Sequence, residues 1–179
     1  MPKIPYLKMH SEPAAIPVDL ATELAAVVIE WGRFETGIIT DTQEMMRYPN
    51  IQALESSPPR SFSKRIELWK HCIHALFDIR FYRNVAAEIC SKGKTVSHFR
   101  NRLVHGIWSP VDGTNGLYTV TGMKNPKALP EQIHADAQYV GAVHRDIRAV
   151  SDAFFEFRVN RMLHAHQGRL QARVELKPE

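Results

Sequence analysis

One short run in the middle of the chain, RNRLVHG from Arg100 to Gly106, brings together side chains that can act on a phosphate group. Histidine titrates near neutral pH, so the His105 imidazole can serve as a base or as an acid. Arginine stays protonated and presents a planar fork to phosphate oxygens, so Arg100 can stabilise charge but cannot supply a proton. Asn101 can orient the imidazole or hold a phosphate oxygen. These residue types predict a catalytic site for phosphate chemistry at Arg100, Asn101 and His105.

The spacing of arginine and histidine carries little weight by itself, because Arg161 and His166 repeat it elsewhere. The run at Arg100 is distinguished by its context, with Asn directly after the arginine, Leu-Val before the histidine and Gly after it. A structural alternative stays open at this point. Arg100 and Asn101 can be solvated helix residues, and His105 can cap a helix C-terminus, where a cation or an N–H donor is favoured.

The elements that precede the run are predicted to be helices. Apolar residues four and three apart describe an amphipathic helix from about Asp19 to Arg47 and a second one that begins near Phe62 and continues through Ile89. Gly93 interrupts the pattern, which predicts a break near residues 91–94. A short third helix, from Thr95 to about His105, then carries the run.

The elements that follow the run are predicted to be a hairpin and one more helix. Gly106 is expected to cap the motif helix. Two β-prone runs, 107–109 and 117–121, flank a turn-rich linker and predict a β-hairpin. A last long helix is expected after Pro130, because one face stays apolar from Ile133 to about His166.

Together these elements predict an all-α fold, a helical bundle with a small β-hairpin between the motif helix and the last long helix. The length of 179 residues fits one domain. We expect it to span 18–166, after an extended N-terminal arm at 1–17 and before a frayed tail at 167–179. No stretch approaches the roughly 20 apolar residues that span a bilayer. Cys72 and Cys90 form no metal or disulfide pattern, so a cytoplasmic location fits best.

Positive charge is concentrated in the middle of the chain. Ten basic and three acidic residues lie between Arg60 and Arg102, whereas eight acidic and two basic residues lie between Ser11 and Ser57. Either the basic block faces phosphate, or an acidic helix packs against a basic one and the two neutralise each other. The sequence leaves both interpretations open.

Arg100, Asn101 and His105, near the predicted end of a helix with long helices on either side, resemble the motif and layout of the HEPN superfamily over roughly residues 18–166. HEPN proteins are small all-helical domains that bind nucleotides and RNA, and many resemble metal-independent endoribonucleases that work as dimers. The resemblance therefore implies a ribonuclease of toxin or defence-effector type, a homodimer with both motifs at the subunit interface, RNA as substrate, and no cofactor or metal. A second function class stays open, a non-catalytic dimeric module that binds RNA, a nucleotide or a protein partner.

An antitoxin or a nucleotidyltransferase is a further partner that the resemblance implies. HEPN members paired with a nucleotidyltransferase antitoxin typically carry Tyr two residues after the motif histidine. This chain has Ile107 at that position and departs from the pattern of that subgroup.

Helical geometry predicts where the motif points. Val96 and Leu103 fall on the side expected to face the core, whereas Asn101 and His105, four residues apart, fall on the other side. Arg100 lies about 140° around the helix from His105. Either its long side chain bends round, or the arginine of a second subunit completes the site.

Metal-independent RNA cleavage needs a base for the 2′-hydroxyl, an acid for the leaving 5′-oxygen and a fixed cation for the charge on phosphorus. One His105 fills one of the two proton-transfer roles, and a two-fold dimer supplies the second histidine. Arg102 and His98 flank the same helix face and are predicted to extend the phosphate contact.

Two other histidines are weaker candidates for chemistry. His71 and His74 are three residues apart on a predicted helix and can place two nitrogens on a metal ion. No His-Glu-x-x-His arrangement is present, so packing or hydrogen bonding is the favoured interpretation and no metal site is expected.

Overall fold

A computed structural model describes residues 16–48, 51, 59–114, 116–121 and 132–175, with side chains as far as His164. The N-terminal arm predicted at 1–17 lies outside these residues except for its last two positions. Among the described helices, none is long and apolar enough to cross a bilayer.

The described part of the chain is mainly helical, as predicted. Its helices are α1 (Val18–Met45), α2 (Phe62–Leu76), α3 (Arg80–His105) and α4 (Ala137–Glu175). α1 packs mainly against α4, and α2 packs mainly against α3. α4 runs past its predicted end near His166, and the side chains of the tail predicted at 167–179 lie outside the described residues.

An aromatic cluster at the centre of the bundle joins three of the helices. The Phe154 ring lies 5.9 Å from the Phe34 ring and 5.6 Å from the Trp69 ring, with edge-to-face geometry in both pairs. All three side chains are fully buried. Because such pairs add to the hydrophobic gain from burial, this cluster fixes how α1, α2 and α4 meet.

The predicted hairpin is present, and a third strand extends it. β1 (Ile107–Pro110), β2 (Tyr118–Thr121) and β3 (Gln132–Ala135) form an antiparallel sheet in that order. Ile133 was expected in the last helix, but it pairs with Val120 across the sheet. The prediction was wrong because Ile133 fits a helical period and a strand period equally well over so short a segment. The helix begins after Asp136, whose Oδ1 accepts a hydrogen bond of 2.7 Å from the Tyr139 N–H.

The break predicted at Gly93 is also wrong, since α3 runs through this glycine without interruption. The chain breaks instead at residues 77–79, between α2 and α3. A Cβ atom on Gly93 would lie 2.5 Å from the Ile66 Cδ1 and 3.3 Å from the Phe34 Cζ. Glycine at this position therefore lets α3 approach α1 and α2 closely, and it does not end a helix.

Two helix glycines provide a matched test of this interpretation. We expect Gly93→Ala to lower the free energy of unfolding by about 1–3 kcal/mol, because the added methyl overpacks the core. Gly32→Ala, on α1, should raise it by about 0.5–1 kcal/mol, because a Cβ there meets no atom within 4 Å and alanine favours the helix. Urea denaturation of both variants measures the two effects, and a stabilising Gly93→Ala would contradict the close approach.

Gly106 ends α3 as predicted, but for a different physical reason. Its backbone is extended, with φ −76° and ψ 159°, so no left-handed conformation calls for glycine. A Cβ at this position would overlap the Arg102 carbonyl oxygen and lie 2.5 Å from the Val120 Cγ1. Glycine is needed because β2 packs directly against the end of the motif helix.

The α2–α3 contact is strengthened by Glu67, which forms ion pairs with Lys70, at 2.6 Å, and with Lys94. Hydrogen bonds from Lys70 and Lys94 lower the pKa of Glu67 from 4.5 to about 2. A lowered folded-state pKa means that the stabilisation is present above pH 4.5 and is lost as the pH falls towards 2.

We expect Glu67→Gln to reduce the free energy of unfolding by about 1 kcal/mol at neutral pH, a value that allows for partial solvent screening. The difference from wild type should shrink below pH 4.5 and disappear near pH 2. Glu88→Gln is the control, because the Glu88–Lys92 pair is well exposed on the surface. Chemical denaturation across this pH range measures both; a difference for Glu67→Gln that persists at the acid end would be inconsistent with the lowered pKa.

Candidate functional site

The last turns of α3 bring Arg100, Asn101 and His105 into direct contact. The Arg100 Nη1 donates a hydrogen bond of 3.0 Å to the Asn101 Oδ1 and lies 3.2 Å from the His105 Nε2. The sequence left open whether Arg100 reaches His105 of its own chain. It does, because the long side chain bends around the helix.

The contact with Arg100 determines which ring nitrogen of His105 carries the proton in this arrangement. A guanidinium only donates hydrogen bonds, so the His105 Nε2 must accept, and the ring proton then resides on Nδ1. The His105 side chain is otherwise exposed to solvent. In this arrangement the lone pair of Nε2 is covered by Arg100 and becomes available for proton transfer only when the Arg100 Nη1 gives up this hydrogen bond.

Arg100 is half-buried, and its hydrogen bonds are incompletely satisfied. Its Nε is buried without a hydrogen-bond partner among the described residues. Its Cζ lies 5.6 Å from the centre of the Trp31 ring, a cation–π distance. The described contacts of Arg100 are therefore with neutral groups, so its positive charge is available to an anion.

Arg102 and His98 form a second pair on the adjoining part of the helix. The Arg102 Nη2 lies 3.1 Å from the His98 Nε2, one helical turn away. Four cationic or titratable side chains thus lie within eight consecutive residues at the end of α3, where His105 is exposed and the other three are half-buried.

The charge of Arg102 also acts on Tyr139, near the start of α4, which the sequence did not predict. Burial raises the pKa of its phenol, and the positive charge of Arg102 partly offsets that rise. The Asp136 cap was the only local signal, since it places Tyr139 in the first turn of α4. That the charge of Arg102 acts on the Tyr139 phenol depends on the tertiary fold.

The sheet holds the end of the motif helix in place. The Trp108 indole N–H donates a hydrogen bond of 2.9 Å to the Leu103 carbonyl oxygen. The Tyr118 ring packs 5.8 Å from the Trp108 ring. Since free carbonyls at a helix end need partners, this contact satisfies one of them and limits fraying next to His105.

The rest of the basic block is partly neutralised within the described residues. Its ion pairs are Arg65–Glu35, Lys70–Glu67, Lys94–Glu67, Arg83–Asp78 and Lys92–Glu88. The Arg65–Glu35 pair joins the acidic first helix to the basic second one, as the neutralising interpretation expects. The neutralising interpretation thus applies to this part of the block, whereas Arg100 has no carboxylate partner among the described residues.

The other candidate histidines do not assemble a site in the described part of the chain. His71 is exposed, and the Nε2 of His74 is buried without a hydrogen-bond partner there. Across the described residues, no three potential metal ligands come together. The side chain of His166, in the second Arg-to-His spacing, lies outside the described residues.

Fold and site together define a mainly helical bundle with a small antiparallel sheet and an Arg–Asn–His cluster at the end of one helix. No protein-family model matches the chain, and neither the curated proteins nor the solved structures contain a significant match to it.

Proposed function

We propose that this chain is a HEPN-like endoribonuclease that works without a metal ion as a homodimer, with Arg100, Asn101 and His105 at its site. The observation that supports the proposal best is the Arg100 guanidinium, which contacts both Asn101 and His105 at an accessible helix end. A fixed cation beside an acid–base group is what RNA cleavage needs. Arg102 and His98 extend the phosphate contact along the same helix.

The proposed reaction uses the His105 side chains of both subunits and one Arg100. RNA phosphate binds Arg100 and takes over the hydrogen bond of its Nη1 while the guanidinium stays over the Trp31 ring, so the His105 Nε2 is freed and takes the proton from the 2′-hydroxyl. The 2′-oxygen attacks phosphorus, the bond to the 5′-oxygen breaks, and the partner subunit's His105 protonates the leaving oxygen. The products are a 2′,3′-cyclic phosphate and a 5′-hydroxyl, and Arg100 stabilises the charge that builds up on phosphorus.

The exposure of His105 supports the dimer in this proposal, because a second subunit can approach the site. We propose a two-fold axis close to the C-terminal end of α3. A toxin or defence-effector role, with an antitoxin or a nucleotidyltransferase as partner, belongs to the same proposal.

The decisive experiment is incubation of the purified protein with a single-stranded RNA in EDTA. We expect cleavage to persist and to leave 2′,3′-cyclic phosphate ends, identified by mass spectrometry, and light scattering to give the mass of a dimer. His71→Ala is the matched control, because His71 is an exposed histidine outside the site. A strict requirement for Mg²⁺ or Mn²⁺ in the same assay would rule out the proposed mechanism.

A second candidate function, a non-catalytic module that binds RNA, is favoured by one observation. The His105 Nε2 already contacts Arg100, so in this arrangement its lone pair is occupied. Tight binding of RNA with no cleavage under any of these conditions would select this second function, with the same helix face as the binding surface.

A further inference from the structure

The Arg100 guanidinium is held on two sides, and only one of them belongs to the motif. Its Nη1 contacts Asn101 and His105, while its Cζ lies over the Trp31 ring at 5.6 Å. Trp31 is only 2% exposed, so its ring cannot stack on a base or on any other ligand from solvent. What the ring can do is fix the plane and position of the cation that lies over it.

The Trp31 ring is itself fixed by a chain of polar contacts that ends on α2. Its indole N–H donates a hydrogen bond of 3.1 Å to the Glu35 Oε2, one turn further along α1. The Glu35 Oε1 accepts a hydrogen bond of 2.7 Å from the Arg65 Nη1, and the Arg65 Nε donates one of 2.7 Å to the Pro59 carbonyl oxygen. The Phe62 ring packs 4.4 Å from the Trp31 ring. The indole therefore has one orientation, set by charged and aromatic partners from both helices.

The charge of Glu35 also affects how strongly the ring attracts a cation. A carboxylate that accepts a hydrogen bond from the indole N–H polarises the ring and makes its face more negative. The attraction between that face and the Arg100 guanidinium increases accordingly. Arg65 holds the Glu35 carboxylate in place, so the ion pair acts on Arg100 through the indole.

We propose that Trp31, held by Glu35 and Arg65, is a positioning residue that fixes the Arg100 guanidinium for binding phosphate. The inference rests on the proposed phosphate-binding role of Arg100. It links the motif on α3 to an ion pair between α1 and α2, and it gives Glu35 and Arg65 a role beyond neutralising each other.

The test uses a fluorescein-labelled oligouridylate RNA as probe, with affinity measured by fluorescence anisotropy. Trp31→Leu removes the aromatic face, and we expect affinity to fall about 10-fold. Trp31→Phe keeps a face for the cation and should stay within about 3-fold of wild type. Glu35→Gln keeps the shape but removes the charge, and should fall between the two. Glu30→Gln is the control, because it removes one carboxylate from the same helix, where Glu30 pairs with Arg33, and it should bind as wild type does.

A double-mutant cycle separates positioning from a general effect on the core. In an Arg100→Ala background, Trp31→Leu should cause no further loss of affinity, because the group that it positions is gone. Losses that add in the double variant would overturn the proposal, since they would show that Trp31 acts independently of Arg100. Thermal denaturation identifies any variant that fails to fold, and in that case Glu35→Gln, which lowers affinity but keeps the Trp31 ring, takes the place of Trp31→Leu in the cycle.

A measurement without RNA keeps this inference separate from the proposed function. The Nε–H of Arg100 is buried in the structure, so its proton should exchange slowly and give a resolved NMR signal, shifted by the Trp31 ring current. We expect Trp31→Leu to remove the shift and Glu30→Gln to preserve it. An Arg100 signal that is unchanged in Trp31→Leu would overturn the positioning role, whereas wild-type protein with this signal and no affinity for RNA would overturn the proposed function alone.

Discussion

Replacing His105 with alanine should lower the rate of RNA cleavage by about 10²-fold or more, because the variant loses a group that transfers a proton in the proposed reaction. RNA affinity should change by less than about threefold, since most of the attraction comes from the cationic side chains that remain. Single-turnover cleavage, compared with anisotropy on an uncleavable deoxy analogue, separates the two quantities.

Two substitutions of Arg100 complete this experiment. Arg100→Ala should reduce both cleavage and affinity, because the guanidinium contacts phosphate in the ground state and stabilises charge in the transition state. Arg100→Lys retains the charge but loses the planar fork and its contact with two partners. We therefore expect binding to be largely restored in Arg100→Lys and turnover to remain poor. A His105→Ala variant that cleaves as fast as wild type would assign the activity to another site or to a contaminating nuclease.

Replacing Asp41 with alanine should cause the largest loss of stability, about 3–5 kcal/mol. Asp41 is completely buried and accepts hydrogen bonds from the Trp69 indole N–H, at 2.8 Å, and from the Arg161 guanidinium. A second arginine also pairs with this carboxylate, since the Arg158 Nε lies 3.2 Å from the Asp41 Oδ1. Arg161 is only 5% exposed, so removing the carboxylate leaves a buried cation without its counter-charge.

Thermal and urea denaturation measure this loss, which corresponds to a fall in Tm of about 6–20 °C for a chain of this size. Glu44→Gln is the matched control, because Glu44 binds the same Arg158 with both oxygens at 2.9 Å but is 44% exposed. We expect it to cost less than about 1 kcal/mol. Equal losses for Asp41→Ala and Glu44→Gln would contradict the view that burial of the charge determines the cost.

The sequence predicted a helix correctly where one period dominated over a long stretch, and it predicted the hairpin from the turn-rich linker between two β-prone runs. α1 repeats its apolar residues over 28 residues, and its predicted limits, Asp19 and Arg47, differ from the observed ones by one and two positions. β3 is four residues long, and a strand that short carries no period distinct from that of the helix that follows it. A long pattern or a clear turn signal therefore decided which elements were predictable.

Gly93 shows why local rules failed at the helix boundary. Glycine disfavours a helix by about 1 kcal/mol relative to alanine, and the predicted break rested on that preference. In the fold the missing side chain allows Ile66 and Phe34 to pack against the α3 backbone, and the gain from their burial outweighs the local cost. Because Ile66 and Phe34 lie far from Gly93 in the chain, the residues around Gly93 do not indicate these contacts.

For the candidate site too, the sequence determined some features and the tertiary structure decided others. Residue types and helical spacing alone determined that Arg100, Asn101 and His105 lie together near a helix end, because three residues within two turns of one helix cannot separate. Only the tertiary structure decided that Arg100 bends round to its own His105, over the Trp31 ring, and that the charge of Arg102 acts on the Tyr139 phenol. These contacts depend on the packing of α1 and α4 against α3, and packing between distant segments is set by the whole core.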